Sequence, residues 1–192
     1  STANEKDFNQ LPVFLKQSIN HMRYWRYDTP YRFQESVKEY YRTITGIDDV
    51  VGKIFTELSR RGLAENTIII YTSDNGYFLG EHQFDGKWLM YEESIRTPMI
   101  IYDPRLPLSS QGQSISEMTL NIDCSPTIID LAGLSVPSAV QGKSLKPFIE
   151  NKRVENWRKE WFYEHVFEYP TLVKSEGIRT ERFKYVRYIE QD

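Results

Sequence analysis

Residues 68–105 read IIIYTSDNGYFLGEHQFDGKWLMYEESIRTPMIIYDPR, and this stretch decides how the rest of the chain is organised. The β-branched run Thr67, Ile68, Ile69 and Ile70 is too short for a helix and is apolar on both faces, as in a fully buried strand of a parallel sheet. It delivers Ser73, Asp74, Asn75 and Gly76 to its C-terminal end. A loop carrying His82 and Lys87 follows, and then a second apolar run over residues 99–102, stopped by Asp103-Pro104. In open α/β sheets, ligands bind beyond the carboxyl ends of strands, which is where Asp74 and Asn75 fall.

Working outward, Val37, Tyr40, Tyr41, Ile44, Ile47, Val50, Val51, Ile54, Phe55 and Leu58 recur at helical steps. They predict a helix from near Gln34 to about Arg61, with a possible interruption at Gly46, a breaker at Asp28-Thr29-Pro30 and a C-cap at Gly62. Residues 118–122 are a weaker strand candidate. Asp123 is expected to cap a helix over residues 125–131 that turns Ile128, Ile129 and Leu131 inward and stops at Gly133. Residues 145–149 suit a short helical turn. After Trp157, residues 161–167 and 176–188 alternate in the manner of antiparallel strands. The fold class expected is therefore α/β, a sheet with flanking helices plus a small antiparallel C-terminal piece, divided at residues 1–150 and 151–192.

Composition excludes several classes. With 24 Lys plus Arg against 27 Asp plus Glu, the net charge of -3 gives no long-range attraction to nucleic acid or anionic membranes. No run approaches transmembrane length. The single cysteine, Cys124, excludes an internal disulfide and reads as a small, structural side chain.

The chemistry lies in the quoted stretch. A carboxylate beside a carboxamide oxygen, Asp74 and Asn75, suits a hard cation such as Ca²⁺ or Mg²⁺. Ser-Asp-Asn-Gly is equally good turn chemistry with no metal. Lys87 can neutralise charge developing on an oxyanion, although surface lysines are usually just solvated. His82 can donate a proton or bind substrate. Glu92, Glu93 and Arg96 read as braces rather than reacting groups.

Taken together these residues resemble the sulfatase family. Asp74-Asn75-Gly76, Gly80-Glu81-His82, Lys87, Tyr91 to Arg96 and Pro98 stand in the family's order and spacing, and the likeness extends over roughly residues 37–188. The resemblance implies an alkaline-phosphatase-like mixed sheet and hydrolysis of sulfate esters with one divalent cation, usually calcium. It also implies a formylglycine nucleophile made from Cys or Ser. By position, Asp74 and Asn75 match metal ligands, and Asp74 also matches the group that takes the proton from the attacking hydroxyl. Lys87 matches the contact to the sulfate and leaving-group oxygen. His82 matches a substrate contact, and His165, in the aromatic run of residues 162–170, is a further substrate-binding candidate.

The nucleophile motif is not recognisable here. Cys124-Ser125-Pro126 imitates its first half, but Ile128 stands where the motif needs Arg. The chain is accordingly expected to be the C-terminal portion of a sulfatase, inactive alone, with formylglycine in a missing N-terminal half of the same domain. A sulfated small molecule or saccharide is the expected partner, closest in pattern to glycosaminoglycan substrates, in the periplasm or outside the cell. The competing readings are a phosphatase or phosphodiesterase of the alkaline phosphatase superfamily and a non-catalytic binding fragment.

Overall fold

The computed structural model describes residues 5–189, so the ends of both expected spans, residues 1–4 and 190–192, lie outside the described residues. The long helix runs from Pro30 to Arg60, continuous through Gly46. It begins earlier than Gln34 because Asp28-Thr29-Pro30, expected as a breaker, works as a start signal. The Thr29 hydroxyl accepts the Arg32 N–H at 3.2 Å, and Pro30 occupies the first turn, where its missing N–H has no role. At the other end Leu63 N–H donates to the Leu58 carbonyl and Gly62 N–H to Ser59, with Gly62 at φ +69°. That is a Schellman termination, and it needs the left-handed residue that glycine supplies.

Strand β1 (Ile69–Thr72) precedes the short strands β2 (Phe78–Leu79) and β3 (Asp85–Gly86), which pair with each other; β4 (Met99–Tyr102) follows. The expected parallel pairing is corrected here: β1 and β4 run antiparallel, with Ile70 opposite Ile101 and Tyr71 opposite Ile100. An apolar run carries no information about strand direction, and residues 73–98 bring the chain back beside the end of β1 instead of crossing to its start. Nor is the ribbon fully buried. Ile100 is 61% exposed, and no third strand joins it among the described residues.

The core lies under the loop that β2 and β3 frame. Leu15, Phe78, Phe84, Leu89 and Val173 are buried together, with Phe8, Leu11, Phe14, Tyr91 and Tyr188 packed around them. Short helical turns between Glu5 and Arg26 thus pack beneath the loop. The C-terminal piece is a three-stranded antiparallel meander of β5 (Glu160–His165), β6 (Ser175–Thr180) and β7 (Lys184–Tyr188), contributing Val173 and Tyr188 to the same core.

Between them, residues 118–122 form no strand but lead into a 3-10 turn, Asn121–Asp123. The helix Cys124–Leu131 buries Pro126 and Thr127, half-buries Ile129 and Leu131 and leaves Ile128 exposed, so the inward face is rotated from the expected one. Asp123 explains the change. Its fully buried carboxylate, instead of capping that helix, accepts the N–H groups of Leu120 and Lys143 and pairs with Arg158. Docking on those partners turns the Thr127 side of the helix inward, and the Thr127 hydroxyl accepts Leu145 N–H at 2.9 Å.

Candidate active site

β1 ends at Thr72, and the next four residues turn under tight local control. The Ser73 hydroxyl donates to the Asn75 carbonyl at 2.8 Å, and Asn121 reaches back to donate to the carbonyls of Ser73 and Asp74 at 3.2 and 3.0 Å. Gly76 N–H donates to the Ser94 carbonyl at 2.8 Å. A Cβ on Gly76 would lie 2.1 Å from the Glu93 carbonyl oxygen, so only glycine allows this approach. The tetrapeptide bends at Asp74 without a closing backbone hydrogen bond, and it presents two side-chain oxygens. Lys87 Nζ donates to Asn75 Oδ1 at 2.6 Å and lies 3.9 Å from Asp74 Oδ2, whose side chain is 84% exposed.

The loop that carries Lys87 is conformationally costly. His82, Gln83 and Trp88 join Gly80 and Gly86 at positive φ, and Trp88 sits at +83°. A non-glycine residue there costs on the order of 1–2 kcal/mol, a cost that persists only when neighbours over-determine it. Asp85 is one such neighbour: fully buried, it pairs with Arg23 at 3.0 Å and with Arg26, and accepts the Tyr27 hydroxyl at 3.3 Å. Burial, and then the Asp85 charge, push the Tyr27 phenol up, so it stays a donor. Arg23 also stacks its guanidinium 5.8 Å from the Trp88 ring centre.

His82 Nε2 lies 3.2 Å from Glu93 Oε1, and its ring packs on Tyr91 and against the edge of Phe78. His21, near it, hydrogen-bonds the Gln83 carbonyl at 3.0 Å through Nδ1. Glu92 points the other way and accepts from Arg179 at 3.2 Å and Lys184 at 3.1 Å, tying the C-terminal sheet to the loop. Burial alone would raise the Glu92 carboxyl, but the hydrogen bonds from Lys184 and Arg179 outweigh it and hold it below its ordinary value.

Asp74, Asn75, Lys87, Glu92, Arg96 and His165 line one open cleft of about 1870 Å³, to which Trp88 and Trp161 add aromatic faces. His82 is not among its lining residues. The Nδ1 of His165 is buried without a hydrogen-bond partner, and burial lowers the imidazole's pKa, which keeps it neutral near pH 7. Cys124 is half-buried, and burial, then the Asp123 charge, push its thiol up, away from nucleophilic character.

The donor set fits a hard cation in kind: the Asp74 and Asn75 oxygens already turn toward one positive charge, the Lys87 ammonium. It does not complete a site. No group of three or more His, Cys, Asp or Glu side chains converges among the described residues, whereas calcium takes about six to eight oxygens. Sequence reasoning missed Asn121, Arg179 and the Asp85 cluster. None of them carries a local sequence signal, because each depends on a partner distant along the chain.

Comparison with known proteins agrees with this geometry. The family profile described as Sulfatase matches residues 4–134, and that of the N-sulphoglucosamine sulphohydrolase C-terminal region matches residues 80–192. The N-acetylglucosamine-6-O-sulfatase of Bacteroides thetaiotaomicron is 40% identical over 163 residues, 82% of this chain and 29% of that protein. A solved structure described as bound to its substrate, D-glucosamine-2-N,6-O-disulfate, shares 39% identity with a TM-score of 0.77, covering 84% of this chain and 33% of that one. The phosphonate monoester hydrolase of Agrobacterium radiobacter shares 31% identity at a TM-score of 0.69, covering 78% of this chain and 32% of its own. The chain thus spans a third or less of each of these three relatives.

Proposed function

The chain belongs to the sulfatase family, with its alkaline-phosphatase-like α/β fold, and on that premise we propose that the whole protein is a sulfuric ester hydrolase acting on a sulfated saccharide. The observation that carries this reading is the convergence of Asp74, Asn75 and Lys87 at one end of β1, in a cleft wide enough for a sugar. Asp74 and Asn75 hold a divalent cation, calcium before magnesium, with the remaining oxygens supplied from outside this chain. A cation bound there would withdraw charge from the sulfate oxygens, and a formylglycine hydrate in the rest of the protein would supply the attacking hydroxyl.

This chain's own residues do the rest. Asp74, exposed to the cleft, takes the proton from the attacking hydroxyl. Lys87 places its ammonium against the sulfate and the leaving oxygen, where negative charge grows as the ester bond breaks. His165, neutral and part of the cleft wall, is the candidate sugar contact, and Trp161 offers a face for stacking. His82 stays a candidate substrate contact, with its Nε2 beside Glu93 and its ring packed on Tyr91. Export to the periplasm or cell exterior belongs to the same proposal; among the described residues no helix is long and apolar enough to cross a membrane.

The similarity to a phosphonate monoester hydrolase supports a second reading, in which a phosphorus ester takes the place of the sulfate. Parallel assays of the full-length protein on 4-nitrophenyl sulfate, N-acetylglucosamine-6-sulfate, 4-nitrophenyl phosphate and a phenylphosphonate monoester separate the two. A kcat/KM at least about 100-fold higher for a sulfate ester is expected. A preference of that size for a phosphorus ester would select the second reading.

A further inference from the structure

Lys87 stands between two residues in the left-handed region, Gly86 at φ +91° and Trp88 at φ +83°, so its direction depends on what fixes the neighbouring peptide groups. Two side chains from opposite ends of the chain do this. Asn20 Nδ2, on the short helix Ile19–Met22, donates to the Asp85 carbonyl at 3.0 Å and to the Lys87 carbonyl at 2.7 Å. Tyr163, on β5, donates its hydroxyl to the Trp88 carbonyl at 2.8 Å. Three carbonyls around one lysine are thereby gripped by side chains more than sixty positions away in sequence.

Asn20 is the more informative of the two. It is fully buried, yet its Oδ1 has no hydrogen-bond partner. A buried amide with an unsatisfied acceptor costs desolvation, so its place here is explained by its donors, which satisfy two carbonyls that an apolar side chain would leave without them. What the amide supplies is a pair of N–H donors spaced to hold two carbonyls that flank Gly86. The Lys87 ammonium reaches Asn75 Oδ1 at 2.6 Å from that held backbone, and a displacement of about 1 Å at a reacting group can lower a rate about 100-fold.

We propose that Asn20, with Tyr163 as its counterpart on the C-terminal sheet, is a positioning residue that fixes the backbone of Lys87 and so the point at which its ammonium meets the reacting ester. The inference rests on the sulfatase reading given above, in which Lys87 touches the substrate.

The test is a double-mutant cycle in the full-length protein, assayed with 4-nitrophenyl sulfate and N-acetylglucosamine-6-sulfate. Asn20→Ala is expected to lower kcat about 10- to 100-fold, and Tyr163→Phe, which removes only one hydroxyl, about 3- to 10-fold. In a Lys87→Ala background, each substitution should change kcat/KM by less than about twofold, since there is no ammonium left to position. Tyr163 also lines the cleft, and the Lys87→Ala background separates a direct substrate contact from action through the lysine. Equal factors in both backgrounds would reduce Asn20 and Tyr163 to structural roles and overturn the inference. If Asn20→Ala does not fold, judged by its unfolding transition, the Tyr163→Phe arm carries the same decision. Lys87→Ala with undiminished activity, or no turnover by the unsubstituted protein, would instead sink the sulfatase reading and this inference with it.

Discussion

The loop of residues 78–91 and the helix–ribbon unit of residues 30–60, β1 and β4 are made from similarly apolar sequence, yet the chain treats them in opposite ways. The loop is strained and has little regular structure, but it is packed on both sides: Phe78, Phe84, Leu89 and Met90 are all 0–1% exposed. The helix and ribbon are regular and locally well capped, yet no residue of the helix is buried, and Ile44, Ile47, Val50 and Ile54 are 40–54% exposed. Regularity and burial have come apart. Where side chains must hold a precise position, this chain spends its own core on them; where it builds scaffold, it leaves Ile44, Ile47, Val50 and Ile54 exposed on an apolar face.

The substitution with the largest expected effect separates site from scaffold. Asp74→Ala in the full-length protein should lower kcat/KM by about 1000-fold or more, about 4 kcal/mol of transition-state stabilisation. Its side chain is 84% exposed, so the thermal midpoint should hardly move. A loss of only a few-fold would favour the bland reading of the tetrapeptide as a turn. The 192-residue chain assayed alone should show no turnover, and calcium titrated into it should bind weakly, because Asp74 and Asn75 supply only two oxygens.

Phe84→Ala tests the packed side of the comparison directly. Phe84 is fully buried against Phe8, Phe78 and Tyr91, and truncation should destabilise the chain by about 3–5 kcal/mol in urea unfolding. A cost near 1 kcal/mol would mean that the loop collapses onto the cavity, and that it is less rigid than its packing implies.

The alkaline limb of stability sharpens the same contrast. Burial pushes Tyr163 up to about 12, from the ordinary value of about 10 that it regains on unfolding. A folded value raised in this way contributes stability that is complete below pH 10 and is lost as pH climbs through about 12. Tyr163→Phe should therefore flatten the fall in stability over that window. It should not abolish it, since burial also raises Tyr27 and Tyr188. Glu92 acts at the other end. Its depressed carboxyl gives stability that is present above the ordinary glutamate range and lost as pH falls through its folded value.

Much of this was legible from sequence wherever the determinant was local. The helical period from Val37 to Leu58, the position of Asp74 and Asn75 at a strand's end, and the alternation over residues 176–188 were each written in neighbouring residues. What was not legible depended on distant partners. The direction of β1 against β4 leaves no trace in two apolar runs. Ile128 faces outward because Asp123 is committed to Arg158, a partner far along the chain. Asn20, Arg23, Arg26 and Tyr27 lie far before the quoted stretch, yet they hold the loop that carries Lys87. Each is an ordinary residue made important by what the fold sets against it.

The smallest expected effect tests the scaffold side. On the 192-residue chain, Ile44→Lys and Ile47→Lys should each change the unfolding free energy by no more than about 0.5 kcal/mol, because both residues are already 40–43% exposed and lysine is a good helix former. The same pair should reduce self-association in sedimentation velocity, since together they break a contiguous apolar stripe along the helix. If instead each substitution destabilises the isolated chain by 2 kcal/mol or more, as expected only for a buried isoleucine, the helix face is already covered in solution and the contrast between loop and scaffold disappears. Repeating both in the full-length protein supplies the remaining comparison: a large loss there, beside a negligible one in the isolated chain, identifies this face as the seam along which the rest of the protein packs.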